Sequence, residues 1–217
     1  MDEKPWDHRE AYGSKDQLHA IGALITAWNN VEFSMFRLYQ ALLQMGPEKV
    51  TPIFNDHSNS SRFKFIKSLT EEKEHELVYK RTCSFLNYAG ICNGNRNLIA
   101  HAMVKDEKGS VGAQKIASGS QLYTKYMFSL EQIRQAADDT REVFAFGINI
   151  SMFIVAGTLY DNINEGTIRR YLPEYSLVDG KRRFREAVML PKAPAQPASL
   201  TKPPRKSSAH KSKPPQS

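Results

Sequence analysis

A chain of 217 residues with 41% hydrophobic content is long enough to fill one well-packed core. Its formal net charge of +7 is concentrated toward the C-terminus: residues 191–217 hold six Lys or Arg and no acid, and residues 165–190 hold six basic against four acidic, which leaves residues 1–164 at −1. A steering field over the whole surface is therefore not implied, and a polyanion would have to be gripped by the tail or by a local patch.

The two cysteines, Cys83 and Cys92, are too few for a disulfide framework, and on a helix their nine-residue spacing turns them away from each other. A reducing compartment is expected. Met1 to Glu10 is polar and charged, with no apolar stretch behind a basic start, so a cytoplasmic location is the expectation.

In chain order, a short N-terminal extension (1–14) precedes a long helix from about Ser14 to Met45. There Ile21, Leu24, Ile25, Trp28, Val31, Met35, Tyr39 and Leu42 recur at helical spacing. Gly46-Pro47 ends it, and a short turn or helix is expected around Pro52 to Asn55. The Ser58 to Ser61 cluster offers N-caps for a helix through Phe63, Phe65, Ile66 and Leu69. The acidic run Glu71 to Glu76 is expected to open another helix, which continues to about His101. From 103 to 128 the pattern breaks into Gly, Ser, Lys and short apolar pairs. This predicts a loop or small β-hairpin insertion with strands near Gln114 to Ala117 and Lys125 to Ser129. Ser129 with Gln132 forms a capping box for the last long helix, Leu130 to about Asn162.

Val143 to Tyr160 is almost continuously apolar over nearly a membrane-spanning length. Asn149 and Ser151 at its middle, two glycines, and the amphipathic pattern running in from Leu130 and Ile133 point instead to a buried core helix, with no membrane as partner. The tail from Pro191 carries seven of the eleven prolines and no aromatic residue, so a disordered basic end is expected at 191–217. The fold class expected is all-α: an antiparallel bundle of four to five helices over residues 15–164 with one decorated connection, followed by a C-terminal extension at 165–190.

A bundle says little about function, so chemistry must come from particular positions. Glu32 falls on the same stripe as Trp28, Met35 and Tyr39, where a carboxylate needs a partner or must stay at the wet edge. The run Asn93-Gly94-Asn95-Arg96-Asn97-Leu98-Ile99-Ala100-His101 interrupts an apolar helix face with polar residues just before the helix ends. Asn97 and His101, four apart, share a face on which the amide can orient the imidazole. Arg96 lies about 140 degrees round from His101, and its long side chain can swing to the same groove. Such a group suits phosphodiester chemistry: an imidazole moves protons near neutral pH while a guanidinium holds the charge that develops on phosphorus. It requires neither metal nor cofactor. One histidine serves poorly as both acid and base, so the chemistry calls for a homodimer that places two His101 residues across one cleft. His8, His19, His57 and His75 lack metal-ligand spacing.

The segment from Arg96-Asn97 to His101 resembles the R-x4-6-H motif of the HEPN superfamily, and the surrounding helices agree over roughly Lys15 to Asn162. The resemblance implies a helical bundle dimerising through the motif helices, with RNA as substrate and Arg96, Asn97 and His101 as catalytic residues of a metal-independent endoribonuclease. It also implies a place in prokaryotic defence or a toxin-antitoxin system, with an antitoxin protein as partner. Trp28 and Glu32 are similar to the aromatic and acidic residues many such domains carry on the first helix, and Glu32 would pair with Arg96. The alternative within the family is a non-catalytic RNA-binding or protein-interaction module. One departure is Met103, which stands where members paired with nucleotidyltransferase antitoxins often have a Tyr.

Overall fold

The computed structural model describes residues 14–100, 103–107, 110–116, 123–159 and 164–172. They form α1 (Lys15–Leu43), α2 (Pro47–Asp56), α3 (Asn59–Lys73), α4 (Glu76–Ala100), strands β1 (Met103–Glu107), β2 (Ser110–Ile116) and β3 (Tyr123–Phe128), then α5 (Leu130–Leu159) and α6 (Glu165–Tyr171). The protein is a mainly helical bundle. The basic tail expected at 191–217 lies outside the described residues, as do 1–13 of the N-terminal extension and 173–190 of the C-terminal one.

Local chemistry sets most boundaries. Ser14 and Gln17 form a reciprocal capping box, Ser14 Oγ accepting from the Gln17 N–H and Gln17 Oε1 from the Ser14 N–H. Gln44 ends α1 in a left-handed conformation at φ 53°, and Pro47 then starts α2, where its missing N–H costs nothing. Ser58 caps α3, and Ser129 with Gln132 caps α5 in the expected box. The boundary after α3 differs from expectation. Glu71 and Glu72 belong to the last turns of α3, not to a new helix; Lys73 closes that helix and donates to the Leu42 carbonyl at 3.1 Å, satisfying an orphan acceptor at the end of α1. The insertion is a three-stranded antiparallel meander in the order β1-β2-β3, one strand more than a hairpin, with Met103 paired to Gln114 and Val111 to Phe128.

The short connections from α1 to α4 reverse the chain each time, so α1 and α3 share one direction and α2 and α4 the other, while the sheet insertion before α5 sets no direction for it. Asp16 reaches Arg134 at 3.8 Å near the starts of α1 and α5, and Ser34 faces Gly147 farther along. The neighbouring pair α1 and α5 is therefore parallel, a departure from the antiparallel packing expected. By length and composition α5 could cross a membrane over Leu130–Gly157. Its stripe of Val143, Phe146, Ile150 and Ile154 is buried in the core, while Met152 and Val155 are exposed. Ile168 and Leu172 join the same core, and Arg81 Nε donates to the Leu172 carbonyl at 3.2 Å, so packing continues past residue 164.

A smaller core, made of Ala20, Leu24, Ile99, Phe128, Ile133, Ala136 and Ala137, fills the end of the bundle where α1 and α5 start and α4 finishes. Leu98 and Ile99 anchor the end of α4 there, which fixes how the polar residues just before them are presented.

Two predictions arise from the main core. A Cβ at Gly147 would stand 2.6 Å from both Phe85 Cε2 and Ser34 Oγ. Phe85 is fully buried and Ser34 is held by the Val31 carbonyl, so neither yields readily. Gly147→Ala is expected to lower stability by about 1–3 kcal/mol despite the helix propensity of Ala. At Gly22, where nothing lies within 4 Å, the same change is expected to be neutral or stabilising; urea midpoints of the two variants check this contrast.

The second concerns alkaline pH. The Tyr39 hydroxyl lies 2.8 Å from His57 Nδ1, and burial pushes its pKa from 10.0 up to about 12. Burial likewise pushes the Cys92 thiol from 9.0 to about 11. Both groups favour their protonated form in the fold. Their contribution is fully present below the unfolded values and is lost as pH rises through the folded ones. The urea midpoint is expected to fall from about pH 9 to pH 12, with Tyr39→Phe flattening the upper part of that decline.

Candidate functional site

Near the end of α4, Asn93, Arg96 and Asn97 stand at i, i+3 and i+4 and so share one face. Arg96 Nη1 donates to Asn97 Oδ1 at 2.9 Å, and Asn97 Nδ2 donates to Asn93 Oδ1 at 3.3 Å. The Arg96 and Asn97 side chains are thus tied together as part of one network. His101, the third expected catalytic residue, lies outside the described residues, and the orientation of Asn97 toward it is not among the described contacts.

The network continues into α3. Asn59 Nδ2 donates to the same Asn93 Oδ1 at 3.4 Å, and Asn59 Oδ1 accepts from Arg62 Nη1 at 2.8 Å. Arg62 also donates through Nε to the Phe54 carbonyl at 3.1 Å, lies over the Phe54 ring at 3.8 Å, and pairs with Glu32 Oε1 at 3.3 Å. A chain of hydrogen-bonded side chains therefore links α1, α3 and α4 from Glu32 to Arg96.

This corrects the expected role of Glu32. Its cationic partner is Arg62, not Arg96, because the first turn of α3 brings a guanidinium directly to Glu32, where it is also fixed by the ring and carbonyl of Phe54. Glu32 is half-buried at the edge of the α1 stripe and acts on Arg96 only through the amides between them.

Arg96 itself is incompletely satisfied. Its Nε is buried without a hydrogen-bond partner among the described residues. A buried donor left without an acceptor costs about 1–3 kcal/mol. The α4 segment thus holds a guanidinium in a polar wall beside the small core, with one edge tied to Asn97.

Asn59, Arg62 and Asn93 were not legible as site residues. The Ser58 to Ser61 segment signals a helix cap, and no local pattern places its Asn59 against α4. Asn93 alone had a signal, its four-residue spacing from Asn97. Among the described residues, no three His, Cys, Asp or Glu side chains form a group able to hold a metal ion. No protein-family model, curated protein or solved structure matches the chain.

Proposed function

We propose that this protein is a metal-independent endoribonuclease of HEPN type, acting as a homodimer in prokaryotic defence or a toxin-antitoxin system. The observation that carries this reading is Arg96 near the end of α4, its Nη1 bonded to Asn97 and its Nε without an acceptor among the described residues, five positions before His101.

In this reaction the ribose 2′-oxygen attacks the adjacent phosphorus and the 5′-oxygen leaves, producing a 2′,3′-cyclic phosphate and a free 5′-hydroxyl. His101 of one subunit takes the 2′-hydroxyl proton, and the same residue of the second subunit supplies a proton to the 5′-oxygen. The Arg96 guanidinium stabilises the extra charge on the phosphoryl oxygens in the transition state. Asn97 holds that guanidinium by one edge.

The test is cleavage of total RNA by the purified protein in EDTA, with Arg96→Ala and His101→Ala beside it at the same salt, and end-group analysis of the fragments. Cyclic phosphate ends that disappear in both variants support the reading. A folded protein that shifts RNA in a salt-dependent manner without cutting it assigns the same site to RNA binding and overturns the nuclease. A strict monomer in light scattering at high concentration removes the two-histidine site.

A further inference from the structure

The side-chain network around Asn93 contains a reversal of polarity. Arginine has donors and no acceptor. Arg96 at one end of the network therefore requires Asn97 to present its oxygen, and Arg62 at the other requires the oxygen of Asn59, as their contacts of 2.9 and 2.8 Å have it. Each amide then has only its NH2 group left to face inward. Two NH2 groups meet at Asn93, whose single Oδ1 accepts both, at 3.3 Å from Asn97 and 3.4 Å from Asn59. Rotating any one of the three amides by half a turn would set a donor against a donor, so the arrangement is determined as a unit.

We propose that Asn93 is the positioning residue of the Arg96 site: its side-chain oxygen fixes the orientation of the Asn97 amide, and through it the guanidinium that meets the phosphate. The inference rests on the nuclease reading for what the positioned guanidinium does, and on the hydrogen-bond geometry alone for how it is positioned. Asn59 and Arg62 form the outer arm, which ties the Asn93 amide to α3 and Glu32. Asn93 makes no contact with substrate in this scheme. Its requirement is for an acceptor, so aspartate suffices in its place and alanine does not.

The test uses the full chain and side-chain NMR. In the wild type, the carboxamide protons of Asn97 and Asn59 are expected to exchange about tenfold or more slowly than a free amide. The Arg96 guanidinium is expected to give resolved, slowly exchanging signals. Asn93→Ala should bring the Asn97 carboxamide to the free rate and broaden the Arg96 signals, whereas Asn93→Asp should keep both as in the wild type. In RNA cleavage, kcat should fall up to about a hundredfold in Asn93→Ala with KM changed less than about twofold, and recover in Asn93→Asp. Arg96 signals unchanged in Asn93→Ala overturn the proposal. If that variant does not fold, free-rate exchange of the Asn97 carboxamide in the wild type overturns it equally. A wild type that shows the ordered signals and their dependence on residue 93, yet cuts no RNA, supports the positioning role while removing the nuclease reading.

Discussion

Arg96→Ala is expected to reduce RNA cleavage about 10²–10³-fold in kcat while leaving the fold as stable as before or more so. The two halves of this expectation have one structural origin. Among the described residues the guanidinium makes a single side-chain bond, to Asn97, and carries a buried Nε without an acceptor, so removing it deletes as much unfavourable desolvation as favourable bonding. What is lost is charge stabilisation realised only when negative charge builds on the phosphoryl oxygens, which lowers kcat without a matching rise in KM. Arg96→Lys keeps the charge but not the planar fork, and should recover little. Arg169→Ala serves as a control, since Arg169 is an exposed arginine paired only with Glu165 among the described residues, and should cleave as the wild type does. Cleavage rates and urea midpoints measured on the same preparations decide the matter. Cleavage retained in a folded Arg96→Ala protein would sink the proposed reaction, and a large loss of stability would make Arg96 a structural residue.

Trp28→Ala is expected to destabilise the protein by about 3–5 kcal/mol, whereas Trp28→Phe should cost less than about 1.5 kcal/mol. Trp28 is fully buried, and its truncation leaves a large cavity between helices that cannot collapse freely. Among the described residues the indole Nε1 has no hydrogen-bond partner, so phenylalanine deletes a desolvated donor and thereby offsets part of the packing it loses. For a chain of this size, the alanine variant should melt on the order of 10 °C lower. Equilibrium urea unfolding of both variants reads the difference directly. A phenylalanine variant as damaged as the alanine one would mean that the indole N–H does polar work in the folded protein.

The sequence by itself determined those elements whose signals are local. The stripe from Ile21 to Leu42 made α1 legible, and Ser14 and Ser129 fixed helix starts because a capping box is a contact between residues three apart. The break in pattern after residue 102 located the sheet insertion, although only the pairing of β1 with β2 showed it to be a third strand rather than a loop. The run from Asn93 to His101 stood out because it sets polar residues into an apolar helix just before the helix ends, with Asn97 and His101 four apart.

Contacts between helices were decided only by tertiary structure. Glu32 could be recognised as a carboxylate in need of a cation, but which cation depends on where the first turn of α3 lies against α1 and α4, and it brings Arg62. The parallel pairing of α1 with α5 is seen only in contacts such as Asp16 with Arg134, and its closeness rests on the missing side chain at Gly147. The role of Asn93 is of the same kind. An asparagine can present either its oxygen or its nitrogen, and the choice is made here through Asn97 and Asn59 by Arg96 on the same helix and by Arg62, 31 positions upstream, which only the folded bundle brings near.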